Sequence, residues 1–561
     1  MDSKIEARIA AKLQRLYGDV ELLEPLRQML AANPIPPRPG TLSERDALII
    51  AYGDHVQHNS EAPLQTLHTF ASTYLKDLIS GIHILPFYPY TSDDGFSVVD
   101  YQTVNPELGS WGLIKSLGAD FRLMFDLVLN HVSVSSAWFQ GFLRDEPPYR
   151  DYFITADPVE DWSQVVRPRT HPVLTPFETA AGVRHVWTTF STDQVDLNYE
   201  NPAVLLAMLE TLLIYVREGA DFIRLDAIAY LWKTRQTACI HLPQTHTVVQ
   251  LFRDVLDAAA PWVKLITETN VPHVENLSYF GDGRNEAQLV YQFALPPLLL
   301  HTFYTGDARK LSAWASELKT PSEATSFFNF TASHDGIGLR PLTGLVAEAA
   351  IQTIADTVLE RGGQISYKMN PDGNHSPYEL NITYFDALAV PGEALARSVD
   401  RFMASQAVML ALAGLPGIYL PSLFGAGNWA AGVIQTGRTR TINREKFDFA
   451  GLAGVLNDPN TRQAQVFQLY RHLLRRRRTE AAFHPGTPQQ VLDIHPAVFA
   501  LKRGELLALH NMSNTPISID LPSGQWHDLI SDRNYQQQTN LSPYQSVWLV
   551  PGERREHRTP A

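Results

Sequence analysis

FIRLDAIAYLWK, Phe222–Lys233, opens on a run in which apolar residues take up both faces of a strand and only Arg224 and Asp226 interrupt them. A strand apolar on both faces belongs in a sheet covered on both sides, the setting of parallel strands joined by helical crossovers. Two charges at the end of such a strand are costly unless something pairs with them or uses them. Similar runs recur along the chain: ALIIAYGD (47–54), GIHILPF (81–87), FRLMFDLVLNH (121–131), VKLITE (263–268), QLVYQF (288–293), FFNFTASHD (327–335) and GLPGIYL (414–420). Between them lie segments with helical periodicity, such as PLQTLHTFASTYLKDLIS, whose Leu64, Leu67, Phe70, Tyr74, Leu75 and Leu78 share one face.

Eight such β/α units over about 400 residues predict an α/β fold, a closed (β/α)8 TIM barrel with inserted loops, in preference to an open doubly wound sheet. Residues 1–45 read as a helical extension that ends in the stiff connector NPIPPRPG. The barrel is expected over 46–483, with insertions at 132–192 and 338–395 positioned to cover its active face. After residue 484 the pattern changes to alternation with turn signals, which predicts a C-terminal antiparallel β domain over 484–561.

Composition narrows the function classes. The 561 residues carry a net charge of −13, which disfavours a nucleic-acid partner. The single cysteine, Cys239, excludes a disulfide framework and a cysteine zinc site, and reads as a small buried side chain. The N-terminus is amphipathic and lacks the apolar core of a signal peptide, and no apolar run approaches the roughly 18 residues of a membrane span. These features predict a soluble cytoplasmic protein with no membrane partner. The run Arg475–Arg478 reads as a solvated basic turn at a helix C-terminus.

Polar residues gather at the predicted strand ends: Asp126, Asn130 and His131 on the third, Arg224 and Asp226 on the fourth, Glu268 on the fifth, His334 and Asp335 on the seventh. In this architecture, strand C-termini carry the catalytic side chains. Carboxylates, histidines and an arginine in one pocket suit glycosidic chemistry, which needs a carboxylate on one face of the sugar and a carboxylic acid beside the leaving group. Arg224 points to the same side as Asp226 and favours its ionised form. Glu268 needs a desolvated or acidic setting to stay protonated, and Asp335 is a candidate to supply it.

DLVLNH, FIRLDAIAY, ITETN and FTASHDG together resemble the four signature regions of the α-amylase superfamily, glycoside hydrolase family 13. The resemblance implies Asp226 as nucleophile, Glu268 as general acid/base and Asp335 as transition-state stabiliser. SDDGFSVVDYQTVNPELGSW, RPR, YQFALPPLLLHTFYTGD, SHDGIG and NREK are similar to the sucrose phosphorylase branch. That likeness implies that Asp93 and Arg444 grip the far hydroxyls of a glucosyl unit. Phe96 and Tyr230 would form its platforms, and His131 and His334 would bond its hydroxyls. Arg169 and Tyr378 fall where the branch binds phosphate or the acceptor.

Asn270 stands where sucrose phosphorylases carry histidine, and in the acceptor loop Ser376 and Glu379 replace their aspartate and glutamine. With ETNVPH and GDGRNEAQLVYQF, these departures resemble the glucosylglycerate phosphorylases of the same subfamily. The implied activity is a retaining α-glucoside phosphorylase that takes small-molecule substrates, an α-glucoside and inorganic phosphate. Sucrose, sucrose 6'-phosphate and glucosylglycerol remain alternative substrates. An α-glucosidase, a transglucosidase or a non-catalytic sugar-binding protein remains an alternative class. The chemistry requires no metal and no organic cofactor, and Asn130 alone does not make a calcium loop. A homodimer is compatible with this reading.

Overall fold

The computed structural model describes residues 1–370 and 374–552. Eight parallel strands close into a barrel: β1 Leu48–Ala51, β2 Gly81–Ile84, β3 Arg122–Val128, β4 Ala220–Asp226, β5 Lys264–Thr267, β6 Leu289–Tyr291, β7 Ser326–Asn329 and β8 Leu415–Tyr419. Each pairs with its neighbours in chain order, and β8 closes onto β1. Their apolar residues are almost wholly buried, as strands enclosed by side chains within and helices outside must be. Gly417 permits a close approach at the closure, since a Cβ there would lie 2.3 Å from the Phe328 ring.

Register places the site. Between β3 and β4, Asp126 pairs with Arg224 and Val128 with Asp226. Between β4 and β5, Ile266 pairs with Arg224 and Thr267 with Leu225, so Glu268 follows on the rung beside Asp226. The ladder is shorter than the sequence pattern indicates. β3 stops at Val128 and β7 at Asn329, so Asn130 lies beyond β3, His131 opens a separate short strand of the first insertion, and His334 and Asp335 stand on the loop beyond β7. Beyond β3 the backbone is satisfied by other groups: Tyr101 Oη donates to Val128 O at 2.7 Å, and Tyr199 Oη to Leu129 O at 2.9 Å.

Both long connections carry structure of their own. In the first, His131–Ser133 pairs antiparallel with Gln194–Asp196, and a hairpin joins Leu174–Thr179 to Gly182–Trp187. In the second, Ile337–Gly338, His375–Asn381 and Gln364–Met369 form a three-stranded sheet beside the helix Glu348–Glu360. Residues 371–373 of this insertion, and 553–561 at the C-terminus, lie outside the described residues.

At the N-terminus, α1 (Ser3–Tyr17) is capped by the Asp2 carboxylate and followed by α2 (Leu23–Ala32). Arg8 and Lys12 of α1 hold Asp254 on the barrel helix Pro243–Ala259. The C-terminal segment forms a six-stranded sheet with its own apolar cluster. Arg477 corrects the reading of the basic run: it is 1% exposed, donating at 2.7 Å to Glu44 O and at 2.9 Å to Asp46 O. Burial pushes its pKa down to about 10. Cys239 is buried, as expected. Among the described residues no helix is long and apolar enough to cross a membrane.

Candidate active site

One cavity opens above the strand C-termini; the residues proposed from sequence line it except Arg224 and Arg444, the strand-end residues Asp126 and Asn130, and Ser376 of the acceptor loop. The two arginines stand behind the wall and set its charge. Arg224, 2% exposed, donates from Nη1 to Asp226 Oδ1 at 2.8 Å and also to Asp126, while its Nη2 lies 3.9 Å from Glu268 Oε1. Asp126 is bonded in turn by His83 Nε2 at 2.6 Å, with both side chains wholly buried. The first charges that the sequence raised are therefore members of a buried network anchored on two neighbouring strands.

Ala227 takes φ = +50°, uncommon for a residue with a side chain, and turns the chain sharply after Asp226. Its N–H thereby faces Glu268 Oε2 at 3.3 Å. Burial raises both Asp226 and Glu268 above the usual carboxylate range, and Arg224 opposes this in each case. Mutual repulsion adds to the rise in Asp226, and Asp335 adds to it in Glu268. Arg224 touches Asp226 but stands off from Glu268, so a proton shared by the pair belongs on Glu268. Burial also works against the charge of Asp335, but Arg440, Arg444, Arg224 and Arg169 outweigh it and hold Asp335 below the usual range.

Arg440 is the charged cavity residue that the sequence reading missed. Its Nη1 lies 2.6 Å from Asp335 Oδ1, and Nε and Nη2 grip both Glu379 oxygens at 2.9 and 2.7 Å. Glu379, read as an acceptor contact, has both oxygens engaged by this fork. Ser376 lies off the cavity wall, its hydroxyl bonded to Asn370 Oδ1 at 3.1 Å. The expected pairing of Asp93 with Arg444 is loose. Arg444 bonds Asp94 Oδ2 at 2.8 Å and lies 3.9 Å from Asp93 Oδ1, because Asp93 and Asp94 both adopt positive φ in one tight turn.

Elsewhere on the wall, Phe96 stacks on His334 with centroids 4.7 Å apart and an interplanar angle of 5°. His334 Nδ1 is buried and has no partner among the described residues, an atom suited to a ligand hydroxyl. His131 Nε2 lies 3.0 Å from Phe96 O and 3.1 Å from Gln194 Nε2. Desolvation lowers both histidines, which are therefore neutral at pH 7.

Tyr230 packs edge-on to Phe190, over which Arg169 also lies. Beneath Tyr230, Lys233 Nζ contacts the Tyr230 carbonyl, Asp196 Oδ2 at 2.9 Å and Asn130 Oδ1 at 3.4 Å, tying the first insertion to the barrel. Phe190, Gln194 and Phe293 also line the cavity and were not picked out from sequence. Asn270 Oδ1 is buried without a partner among the described residues, and a Cβ on Gly338 would lie 2.4 Å from it. Tyr378, 6% exposed, lines the same cavity, and its carbonyl accepts from Leu339 N beside Gly338.

Residues 71–336 match the family model described as alpha amylase, catalytic domain. Across 98% of this chain and 99% of the relative, it is 49% identical to the glucosylglycerate phosphorylase of Allomeiothermus silvanus. The chain belongs to the α-amylase family. Within that family it is also 42% identical to the glucosylglycerate phosphorylase of Escherichia coli, over 90% of this chain and 92% of that one. The crystal structure of sucrose 6F-phosphate phosphorylase from Thermoanaerobacter thermosaccharolyticum superposes with a TM-score of 0.74 at 25% identity, covering 88% of this chain and 98% of that one. These relatives place the chain in the sucrose phosphorylase-like branch of the α-amylase family.

Proposed function

We propose that the protein is a retaining α-glucoside phosphorylase that converts 2-O-(α-D-glucosyl)-D-glycerate and inorganic phosphate into α-D-glucose 1-phosphate and D-glycerate. The observation that carries this reading is Arg224, whose single guanidinium touches Asp226 and reaches toward Glu268 at the floor of one cavity. One carboxylate is kept ionised beside it, and the other is left to hold the proton.

Asp226 attacks the anomeric carbon while Glu268 gives its proton to the departing glycerate oxygen, leaving a β-glucosyl ester on Asp226. Asp335, charged by its arginine neighbours, faces the positive charge that develops on the ring in the transition state. Phosphate then attacks the same carbon from the side the glycerate left, and Asp226 is released. Two inversions return the α configuration. Arg169, Tyr378 and Asn270 line the end where phosphate enters, and a phosphate anion needs positive charge and donors more than a base. No step calls for a metal or an organic cofactor.

The glycerate assignment draws on the two phosphorylases of 49% and 42% identity. The network around Glu379 supports it: Arg440 neutralises that carboxylate, so it does not repel an anionic acceptor. Glucosylglycerate incubated with phosphate should yield α-glucose 1-phosphate at a rate that follows phosphate to saturation, with little free glucose. Equal turnover without phosphate would instead make the protein an α-glucosidase.

A further inference from the structure

Among the described residues, two guanidiniums at the acceptor end have no carboxylate within ion-pair distance. Arg169 lines the cavity, and among the described residues its side chain hydrogen-bonds only its neighbour's carbonyl, Pro168 O, at 3.3 Å. Arg340 opens the one-turn helix Arg340–Leu342, five residues after Asp335, and is half-buried. Among the described residues no side-chain hydrogen bond or ion pair engages Arg340. By contrast, Arg224, Arg440 and Arg444 are all bound to carboxylates. A half-buried guanidinium without a counter-ion is an electrostatic cost that an anionic ligand would relieve.

The backbone sets Arg340 beside the acceptor end. Leu339 N donates to Tyr378 O at 3.0 Å, and Gly338, two residues before Arg340, packs directly on Asn270. Both Tyr378 and Asn270 line the cavity, and Arg340 is joined to them through the backbone of residues 338 and 339. The Arg340 charge reaches the two cavity tyrosines. Burial raises the hydroxyl pKa of Tyr378 and of Tyr230, and Arg169 and Arg340 oppose that rise in both.

The proposed reaction brings two different anions to this end in alternation, phosphate and the carboxylate-bearing acceptor. Both bond to the same anomeric carbon. The acceptor is the longer, since its carboxylate lies beyond the hydroxyl that reacts. We propose that Arg340 is a specificity-determining residue that binds the acceptor's carboxylate, while Arg169, which lines the cavity itself, serves phosphate. This assignment rests on the glycerate reading above. Arg340 is a fork of donors able to meet a carboxylate bidentately, which a neutral acceptor such as glycerol does not offer.

The test supplies α-glucose 1-phosphate as donor and measures how the glucosyl-enzyme partitions between D-glycerate and water. In R340Q the glycerate-to-water ratio should fall about ten- to hundredfold, the worth of a charge-assisted contact. R340K should recover part of it, and the KM for glucose 1-phosphate should change far less than in R169Q. An unchanged ratio in R340Q, or a rise in the glucose 1-phosphate KM as large as that in R169Q, would overturn the assignment. A parent enzyme that transfers to no glycerate at all would instead overturn the function reading beneath it, an outcome visible before any variant is made.

Discussion

In the proposed mechanism Asp226 and Glu268 perform different tasks, because one arginine touches the first and stands off from the second. Their substitution should therefore give different kinetic signatures. D226N should reduce turnover by about 10^4-fold or more for every donor, since no covalent intermediate forms. E268Q should lower turnover of glucosylglycerate about 10²–10⁴-fold. It should spare α-glucosyl fluoride, whose leaving group needs little protonation. The pH profile follows the same division. In that mechanism Glu268 works as an acid, and burial raises its pKa, so activity should fall as pH rises through that value. On glucosyl fluoride, E268Q should lack this alkaline limb; a limb of unchanged position would assign it to another group. Because burial also raises Asp226, its charge opposes folding above the usual carboxylate range. Calorimetry at neutral pH should find D226N more stable than the parent, by about 0.5–2 kcal/mol, and a clear loss of stability would contradict that account.

At the scale of elements, the loops matter more than the strands. All eight barrel strands were legible, because each is a short apolar run bounded by helical periodicity, and Asp226 and Glu268 were legible from their places at strand ends. His131, His334 and Asp335 were recognised as site residues but assigned to strands that stop short of them, since hydropathy does not show where a ladder ends. Arg440, His83 and Lys233 were not legible. Each is a single residue whose partner lies 37 or more positions away, and no local pattern marks such a pair. Lys233 carries a prediction of its own. K233M would leave Asp196 buried beside Thr189 with its charge unpaired, a change that typically costs about 3–5 kcal/mol. Hydrogen exchange in the strand Gln194–Asp196 should rise, and turnover should fall as Tyr230 loses its support. Unaltered protection there would mean that Lys233 does not hold the insertion in place.

On the scale of the whole molecule, stability and chemistry are built in separate places. The N-terminal helices bind the outside of the barrel through Arg8, Lys12 and Asp254, and none of their residues lines the cavity. Deleting residues 1–40 should lower the melting temperature while leaving the KM for phosphate within about twofold of the parent, a shift of under 1 kcal/mol in binding. A large change in that KM would show that the extension shapes the acceptor end. At the opposite side, Arg503 donates to Ala411 O, Leu412 O and His484 O, joining the C-terminal sheet to the barrel through backbone carbonyls. Both attachments leave the strand C-termini free for loops, and those loops determine what leaves the glucosyl unit and what attacks it. The central claim is a glucosyl group carried on Asp226 and surrendered to phosphate. It is tested most directly by treating E268Q with α-glucosyl fluoride, quenching, and locating the adduct by peptide mass spectrometry. The account predicts one glucosyl unit on the peptide that contains Asp226, discharged by phosphate as α-glucose 1-phosphate. An adduct on another residue, or discharge by water as fast as by phosphate, would contradict it.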